Sequence, residues 1–247
     1  MNKRVALVTG GTGGIGTAIC KALYNSGVTV VASYYKNGAH KAAQQWKEQL
    51  SAAGYDIHIN YANVMEFQDC ESLVRQIEEQ LGSVDIVVNN AGITADSSLK
   101  KMTSTQWSSV MQANLDSVFN ITRNAINGML QNNFGRIINI SSINGQKGQF
   151  GQCNYAAAKA GMYGFTKSLA LEVANKGITV NSISPGYIQT EMLSGVSQDV
   201  LQHIIAQIPV GRLGQPEEIA RVVAFLAADE SSFITGADFA INGGQYM

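Results

Sequence analysis

Charge is scarce in this chain. Only 14% of its 247 residues are Asp, Glu, Lys or Arg, against about 25% in an average soluble protein. Seventeen basic and 18 acidic residues leave a formal net charge of −1, so there is no electrostatic footprint for nucleic acid or an anionic membrane surface. A surface this short of charge is expected to be covered in part by other subunits, which favours a homo-oligomer over a monomer. Cysteine is scarce too. Cys20, Cys70 and Cys153 are odd in number, widely spaced and without CxxC or Cys/His metal spacing, so no metal centre is expected and they read as reduced thiols of a cytoplasmic protein. Long apolar runs are missing: Met1–Arg4 leads into an apolar stretch too short for a signal-peptide core, and nothing is long enough to span a membrane. Internal repeats, low-complexity tracts and interdomain linkers are absent as well, and the length suits one large α/β domain.

Glycine, by contrast, is plentiful. The continuous run Val5-Ala6-Leu7-Val8 has the character of a strand covered on both faces of a parallel sheet. It is followed by Thr9-Gly10-Gly11-Thr12-Gly13-Gly14-Ile15-Gly16 and then by the helical Thr17–Leu23. Glycines there allow a tight turn and let backbone N–H groups approach a pyrophosphate at the helix's positive end. Two registers fit: Gly11, Gly13 and Gly16 match GxGxxG, whereas Gly10, Gly14 and Gly16 match the looser GxxxGxG. The strand, glycine-turn and helix context points to dinucleotide binding by Gly10, Thr12, Gly13, Gly14, Ile15 and Gly16. After the second strand, Val28–Ser33, the Asp or Glu that would grip an NAD ribose is missing. Ser33, Tyr35, Lys36 and His40 stand there instead, with Lys41 beside them, so hydroxyls and cations surround the place of a 2′-phosphate and NADP(H) is the expected cofactor.

Strands and helices alternate from there on. A helix over 39–53 leads to a strand over Asp56–Tyr61, after which Asn63 and Val64 are placed to meet the adenine. A helix over Glu66–Leu81 and a strand over Val84–Val88 run into Asn89-Asn90-Ala91-Gly92, where small residues let the chain pass close to a cofactor and Asn amides tie strand ends together. Ser104 is the expected N-cap of one long helix carrying Trp107, Met111, Asn114, Leu115, Val118 and Phe119. Asn114 lies on its apolar side and so must be hydrogen-bonded. A strand over Arg136–Ile140, a helix over Asn154–Ala174 and a strand over Ile178–Ile183 follow. Ser184-Pro185-Gly186-Tyr187-Ile188-Gln189-Thr190 then leaves the sheet on the ligand-binding edge, and a partly helical insertion makes a substrate lid around 187–214. Pro216-Glu217-Glu218 opens another helix, and Asp238–Gly244 is a last strand and turn. The alternation of strands and helices predicts a single α/β domain over 1–247.

The chemistry is expected in Ser141–Lys159. Tyr155 and Lys159 are four residues apart, hence on one helical face, and Ser142 stands thirteen before Tyr155 at the mouth of the preceding strand. A phenol has an ordinary pKa of about 10, and a nearby ammonium would lower it enough to make it a proton donor and acceptor. Ser142 would hydrogen-bond the same carbonyl oxygen that Tyr155 protonates.

With TGGTGGIG, NNAG, Asn114, Ser142, YAAAK and SPGYIQT in this order over nearly its whole length, the chain resembles the short-chain dehydrogenase/reductases. That resemblance implies a single Rossmann-type, doubly wound α/β domain with a parallel sheet of about seven strands, and commonly a homotetramer. It implies Tyr155 as proton donor, Lys159 as the group that lowers its pKa and holds the nicotinamide ribose, Ser142 as the residue orienting the carbonyl and Asn114 as support for a water relay. The cofactor contacts it implies include Asn90, Ala91, Gly92, Pro185, Gly186 and Ile188. More narrowly, SSINGQKGQFGQCNYAAAKAG and TGADFAINGGQYM resemble the acetoacetyl-CoA reductases of polyhydroxyalkanoate synthesis. This implies acetoacetyl-CoA or a related 3-oxoacyl thioester as substrate and an acyl-thioester pocket of Asp96, Ser142, Gln149, Phe150, Gln152 and Tyr187. The 3-oxoacyl-carrier-protein reductases share every core motif and are the rival, and an idle NADP-binding regulator is the alternative of another class. Two departures stand out: Gly13 where many NADPH-dependent relatives carry Arg or Lys, and Asn63 where an acid is common.

Overall fold

The apolar runs become strands whose alternate residues feed two separate cores. The computed structural model describes residues 3–35, 39–191 and 197–247. Its strands β1 (Val5–Val8), β2 (Thr29–Tyr34), β3 (His58–Tyr61), β4 (Ile86–Asn89), β5 (Gly135–Ile140), β6 (Ile178–Pro185) and β7 (Asp238–Ile241) form one seven-stranded sheet in the order β3-β2-β1-β4-β5-β6-β7. Every pairing is parallel. Ala6, Val8, Val30, Ala32, Ile86, Val88, Ile138 and Ile140 pack on one face against helices α1 (Gly14–Asn25) and, numbered in chain order, α9 (Pro216–Ala227). Val5, Leu7, Val31, Val87 and Ile137 pack on the other face against α3 (Phe67–Leu81), α5 (Ser117–Asn132) and α7 (Cys153–Val173). Apolar side chains on both faces of the central strands require helices on both sides, and this makes the fold doubly wound. The strand order reverses between β1 and β4, so the crevice that binds ligands in such folds opens at their carboxyl ends. Among the described residues no helix is long and apolar enough to cross a membrane.

Three local expectations are corrected. The helix N-cap is Thr103 and not Ser104: the Thr103 hydroxyl accepts from the Gln106 N–H at 3.1 Å while the Gln106 side chain accepts from the Thr103 N–H at 2.9 Å, a reciprocal box that Ser104 has no equivalent partner to make. The long helix is also interrupted. It runs as α4 (Ser104–Met111), a π-helical turn over Gln112–Asp116, and then α5. Asn114 Nδ2 donates to Val110 O (2.8 Å) and Ser117 Oγ to Ala113 O (2.7 Å), so side chains take up carbonyls four residues back exactly where the ladder widens. Finally, the glycine-spaced stretch between the expected strand Arg136–Ile140 and the expected helix Asn154–Ala174, which reads as a loop in the sequence, contains a short helix, α6 (Ile143–Lys147), capped by Ser142 and stopped by Gly148 at φ +73°. It sits so close to α7 that a Cβ on Gly145 would come within 2.9 Å of the Lys159 carbonyl carbon.

Candidate active site

The glycine turn lies at the mouth of β1. Gly10 has φ +60°, Cβ atoms on Gly11 and Gly16 would strike Ala32 and the backbone of Gly10 and Gly11, and one on Gly14 would come within 3.0 Å of Thr190, whereas Gly13 has ordinary space around it. Steric need therefore favours the Gly10, Gly14, Gly16 register. No side chain caps the N-terminus of α1. Its first turn presents Gly13 and Gly14 at the exposed surface beside Ile15, a donor set and a positive dipole end that fit a pyrophosphate. Thr9 and Asn90 brace this turn. Thr9 Oγ1 accepts from the N–H groups of Asn90 and Ala91, both at 3.0 Å, and Asn90 Nδ2 donates to Thr9 O and Gly10 O.

Beyond β2, Ser33 is buried, and the Tyr34 hydroxyl shares a 2.9 Å hydrogen bond with Nδ1 of His40, the first residue of α2 (His40–Ala52). The rings of Tyr34, Tyr35 and His40 all gather on Tyr61. Lys36 lies outside the described residues. Asn63 Oδ1 accepts from the Met65 N–H and the Val64 carbonyl accepts from Asn120 Nδ2, which fixes the turn after β3. Pro185 and Gly186 close the other side of the crevice, where a Cβ on Gly186 would reach Asn242. The Ile188 side chain belongs to the hydrophobic core, which leaves only its backbone to meet a ligand.

The catalytic candidates converge. Lys159 is 3% exposed, its Nζ donates to Ile140 O at 2.7 Å and lies 5.7 Å from the Tyr155 ring centroid. Burial pushes its pKa down to about 7. Tyr155 is pushed above the ordinary phenol value, first by burial; the Ser142 hydrogen bond works against that shift, and the charges of Asp96 and Tyr163 add to it. In the chain alone, then, burial sets the direction of the phenol's shift. Asn114 is fully buried. Its Nδ2 donates to Ile93 O and Val110 O, while its Oδ1 has no hydrogen-bond partner. A Cβ on Gly92 would overlap that oxygen and come within 3.5 Å of Lys159 Nζ, so an unused acceptor and an ammonium flank one small space.

On the substrate side, Gln152 Nε2 donates to Asp96 Oδ2 (2.9 Å) and its Oε1 accepts from Asn144 Nδ2 (2.9 Å). Tyr187 is close enough to Asp96 for that carboxylate to help raise its pKa, after burial. Gln149 and Phe150 stand apart: Lys147 Nζ donates to Gln149 Oε1, and Phe150 is 91% exposed. The insertion after β6 is pinched at its base, where Gln189 N–H donates to Gly214 O and Gly214 N–H to Tyr187 O. It carries α8 (Gln198–Ala206), and its residues 192–196 lie outside the described part.

Residues 10–245 match the family model described as enoyl-(acyl carrier protein) reductase. The chain belongs to the short-chain dehydrogenase/reductase family. It is 55% identical over 244 residues to an acetoacetyl-CoA reductase of Allochromatium vinosum, covering 99% of both chains, and 51% identical to one of Cupriavidus necator over the whole of each. It is 45% identical to a 3-oxoacyl-[acyl-carrier-protein] reductase of Escherichia coli, over 99% of this chain and 98% of that one. Membership in the short-chain dehydrogenase/reductases makes the chain an oxidoreductase with a nicotinamide cofactor.

Sequence reasoning expected the Asn89 and Asn90 amides to tie strand ends together but missed the partners that complete these polar ties. Asn89 Nδ2 donates to Asn139 Oδ1 (2.8 Å) and to Thr122 Oγ1, and Asn139 Nδ2 donates to Thr166 Oγ1 (2.9 Å), a buried chain that links α5, β4, β5 and α7. Asn154 Nδ2 donates to Ala95 O and Gln106 O, fixing the loop that carries Asp96. The available signal was an amide inside an apolar strand run such as Arg136–Ile140, since a buried amide must find a partner.

Proposed function

We propose that the chain is an NADPH-dependent acetoacetyl-CoA reductase that makes (R)-3-hydroxyacyl-CoA for polyhydroxyalkanoate synthesis. The observation that carries this reading is the convergence of Ser142, Tyr155, Lys159 and the unpartnered Asn114 oxygen beside the glycine turn. The likeness to relatives named acetoacetyl-CoA reductase supports the substrate. When bound, the reduced nicotinamide supplies the hydride for the keto carbon. Ser142 then hydrogen-bonds the keto oxygen, and Tyr155 delivers a proton to it, which keeps an alkoxide from building up uncompensated. Lys159 holds the ribose and keeps a proton within reach of the phenol, and Asn114 Oδ1 accepts from a water that links Lys159 to solvent. The raised phenol pKa keeps Tyr155 protonated and ready to donate at neutral pH.

Ser33, Tyr35, Lys36 and His40 take the 2′-phosphate in this reading, because no carboxylate at the end of β2 opposes it. Asp96, Gln149, Phe150, Gln152 and Tyr187 receive the thioester, with the insertion at 187–214 acting as lid over Phe150. Exposed Phe67, Phe119, Leu171, Phe225 and Phe233 support a homotetramer, whose contacts would cover them. A cytoplasmic location accords with the free thiols of Cys20 and Cys70, buried and pushed up in pKa. The second reading, 3-oxoacyl-carrier-protein reductase, is favoured by the likeness to the Escherichia coli protein. NADPH oxidation measured with acetoacetyl-CoA and, in parallel, with acetoacetyl-acyl carrier protein tests both. Preference for the CoA ester is expected, preference for the carrier protein would establish the second reading, and oxidation with neither would leave a binding protein.

A further inference from the structure

We propose that Asn144 is a positioning residue that couples the Ser142 hydroxyl to the thioester end of the cleft, a role that rests on the reductase reading above. Asn144 opens α6 and is 8% exposed. Its backbone N–H donates to Ser142 Oγ at 3.1 Å. With one lone pair of that oxygen engaged from behind, the hydroxyl proton is left to point away from α6. The same residue's Nδ2 donates to Gln152 Oε1 at 2.9 Å, and Gln152 Nε2 donates to Asp96 Oδ2 at 2.9 Å. A chain therefore runs from an exposed carboxylate, through two side-chain amides, to Asn144, whose position sets the backbone N–H that holds the hydroxyl orienting the keto group. Both halves of the Gln152 amide are used inside it. A thioester that engages Gln152 must exchange with Asp96 or Asn144, so binding at the mouth is felt at Ser142. The Oδ1 of Asn144 is buried and has no partner, a cost that a packing residue would not carry and that belongs at a functional position. On the other side, Tyr163 donates to Ser142 O at 2.9 Å, so the serine backbone is held independently and the Asn144 contact acts on the hydroxyl.

The test is steady-state kinetics of the full-length protein with acetoacetyl-CoA, together with the NADPH Kd from nucleotide fluorescence, for Asn144→Ala, Asn144→Asp, Gln152→Ala and the double variant Asn144→Ala/Gln152→Ala. Asn144→Ala is expected to lower kcat about ten-fold with NADPH Kd within about two-fold of wild type. Asn144→Asp, which keeps the shape but loses the donor to Gln152, is expected to be equally impaired; wild-type kinetics there would reduce Asn144 to a space-filler and overturn the proposal. The double variant is expected to be no worse than about two-fold below the poorer single variant, and additive losses would also overturn it. Should the Asn144 variants fail to fold, Gln152→Glu carries the test, because it sets a carboxylate oxygen against Asp96 in place of a donor: lowered kcat supports the chain and unchanged kcat refutes it. Tyr155→Phe in the same assay separates the two levels. Activity retained there removes the reductase reading, whereas an inactive Tyr155→Phe beside wild-type Asn144 variants removes only the coupling.

Discussion

The two ends of the crevice are built in opposite ways. At the dinucleotide end the ligand is offered backbone: a glycine turn, an uncapped helix start and an open cluster of aromatic rings around Tyr61. At the catalytic end it is offered side chains, and these are buried and held by others: Lys159 on Ile140 O, Ser141 Oγ on Lys159 O, Tyr163 on Ser142 O, and the Asn89–Asn139–Thr166 chain underneath. A phosphate needs only donors and a favourable dipole. A proton transfer needs atoms fixed to a fraction of an ångström, and such precision comes from side chains whose own hydrogen bonds are filled. The first end should therefore tolerate substitution with changes in cofactor choice, and the second should lose turnover.

The contrast can be broken most forcefully at Lys159. Lys159→Met is expected to cut turnover by about a hundred-fold or more, measured as NADPH oxidation. The same variant reports on burial. An unfolded lysine titrates near 10.4 and the folded one near 7. Between those values the unfolded chain holds the extra proton, so without cofactor the stability of the wild-type protein relative to Lys159→Met should rise between pH 7 and pH 9, by an amount of the order of a few kcal/mol. Denaturant midpoints at pH 7 and pH 9 check this. Next comes the scaffold beneath the site: Asn139→Ala strands the Asn89 amide and the Thr166 hydroxyl and should cost about 1–3 kcal/mol, seen as a lower Tm. At the dinucleotide end, Ser33→Asp should raise the KM for NADPH about ten-fold by repelling its 2′-phosphate, with the NADH value little changed. The smallest effect is expected at Arg212→Ala, which breaks an exposed 2.8 Å ion pair with Glu218 at the base of the insertion and should leave turnover and Tm nearly unchanged.

The same contrast decides how much was legible in the chain. The succession of strands and helices, the glycine turn and the shared face of Tyr155 and Lys159 follow from local periodicity and context, which a sequence displays directly. The choice between the two glycine registers needed the space around Gly13, where a Cβ would meet only Gly10 O at ordinary contact distance, and around Gly14, where it would press on Thr190. The Asn89–Asn139 and Asn139–Thr166 bonds join residues 50 and 27 positions apart, so the pattern showed only that an amide was out of place, never its partner. The π-turn at Asn114 and the capping of α6 by Ser142 were hidden because side-chain hydrogen bonds, not propensity, produce them. The direction of the Tyr155 shift went astray for a related reason. Spacing reveals the ammonium, but only the packed structure reveals the burial that acts against it.

The central claim is that the Tyr155 hydroxyl gives its proton to the keto oxygen, and Tyr155→Phe tests it with the loss of a single atom. Turnover of NADPH with acetoacetyl-CoA is expected to fall by about 10²–10⁴-fold while NADPH still raises the Tm of the variant as it does that of the wild type. Turnover within a few-fold of wild type would contradict the account.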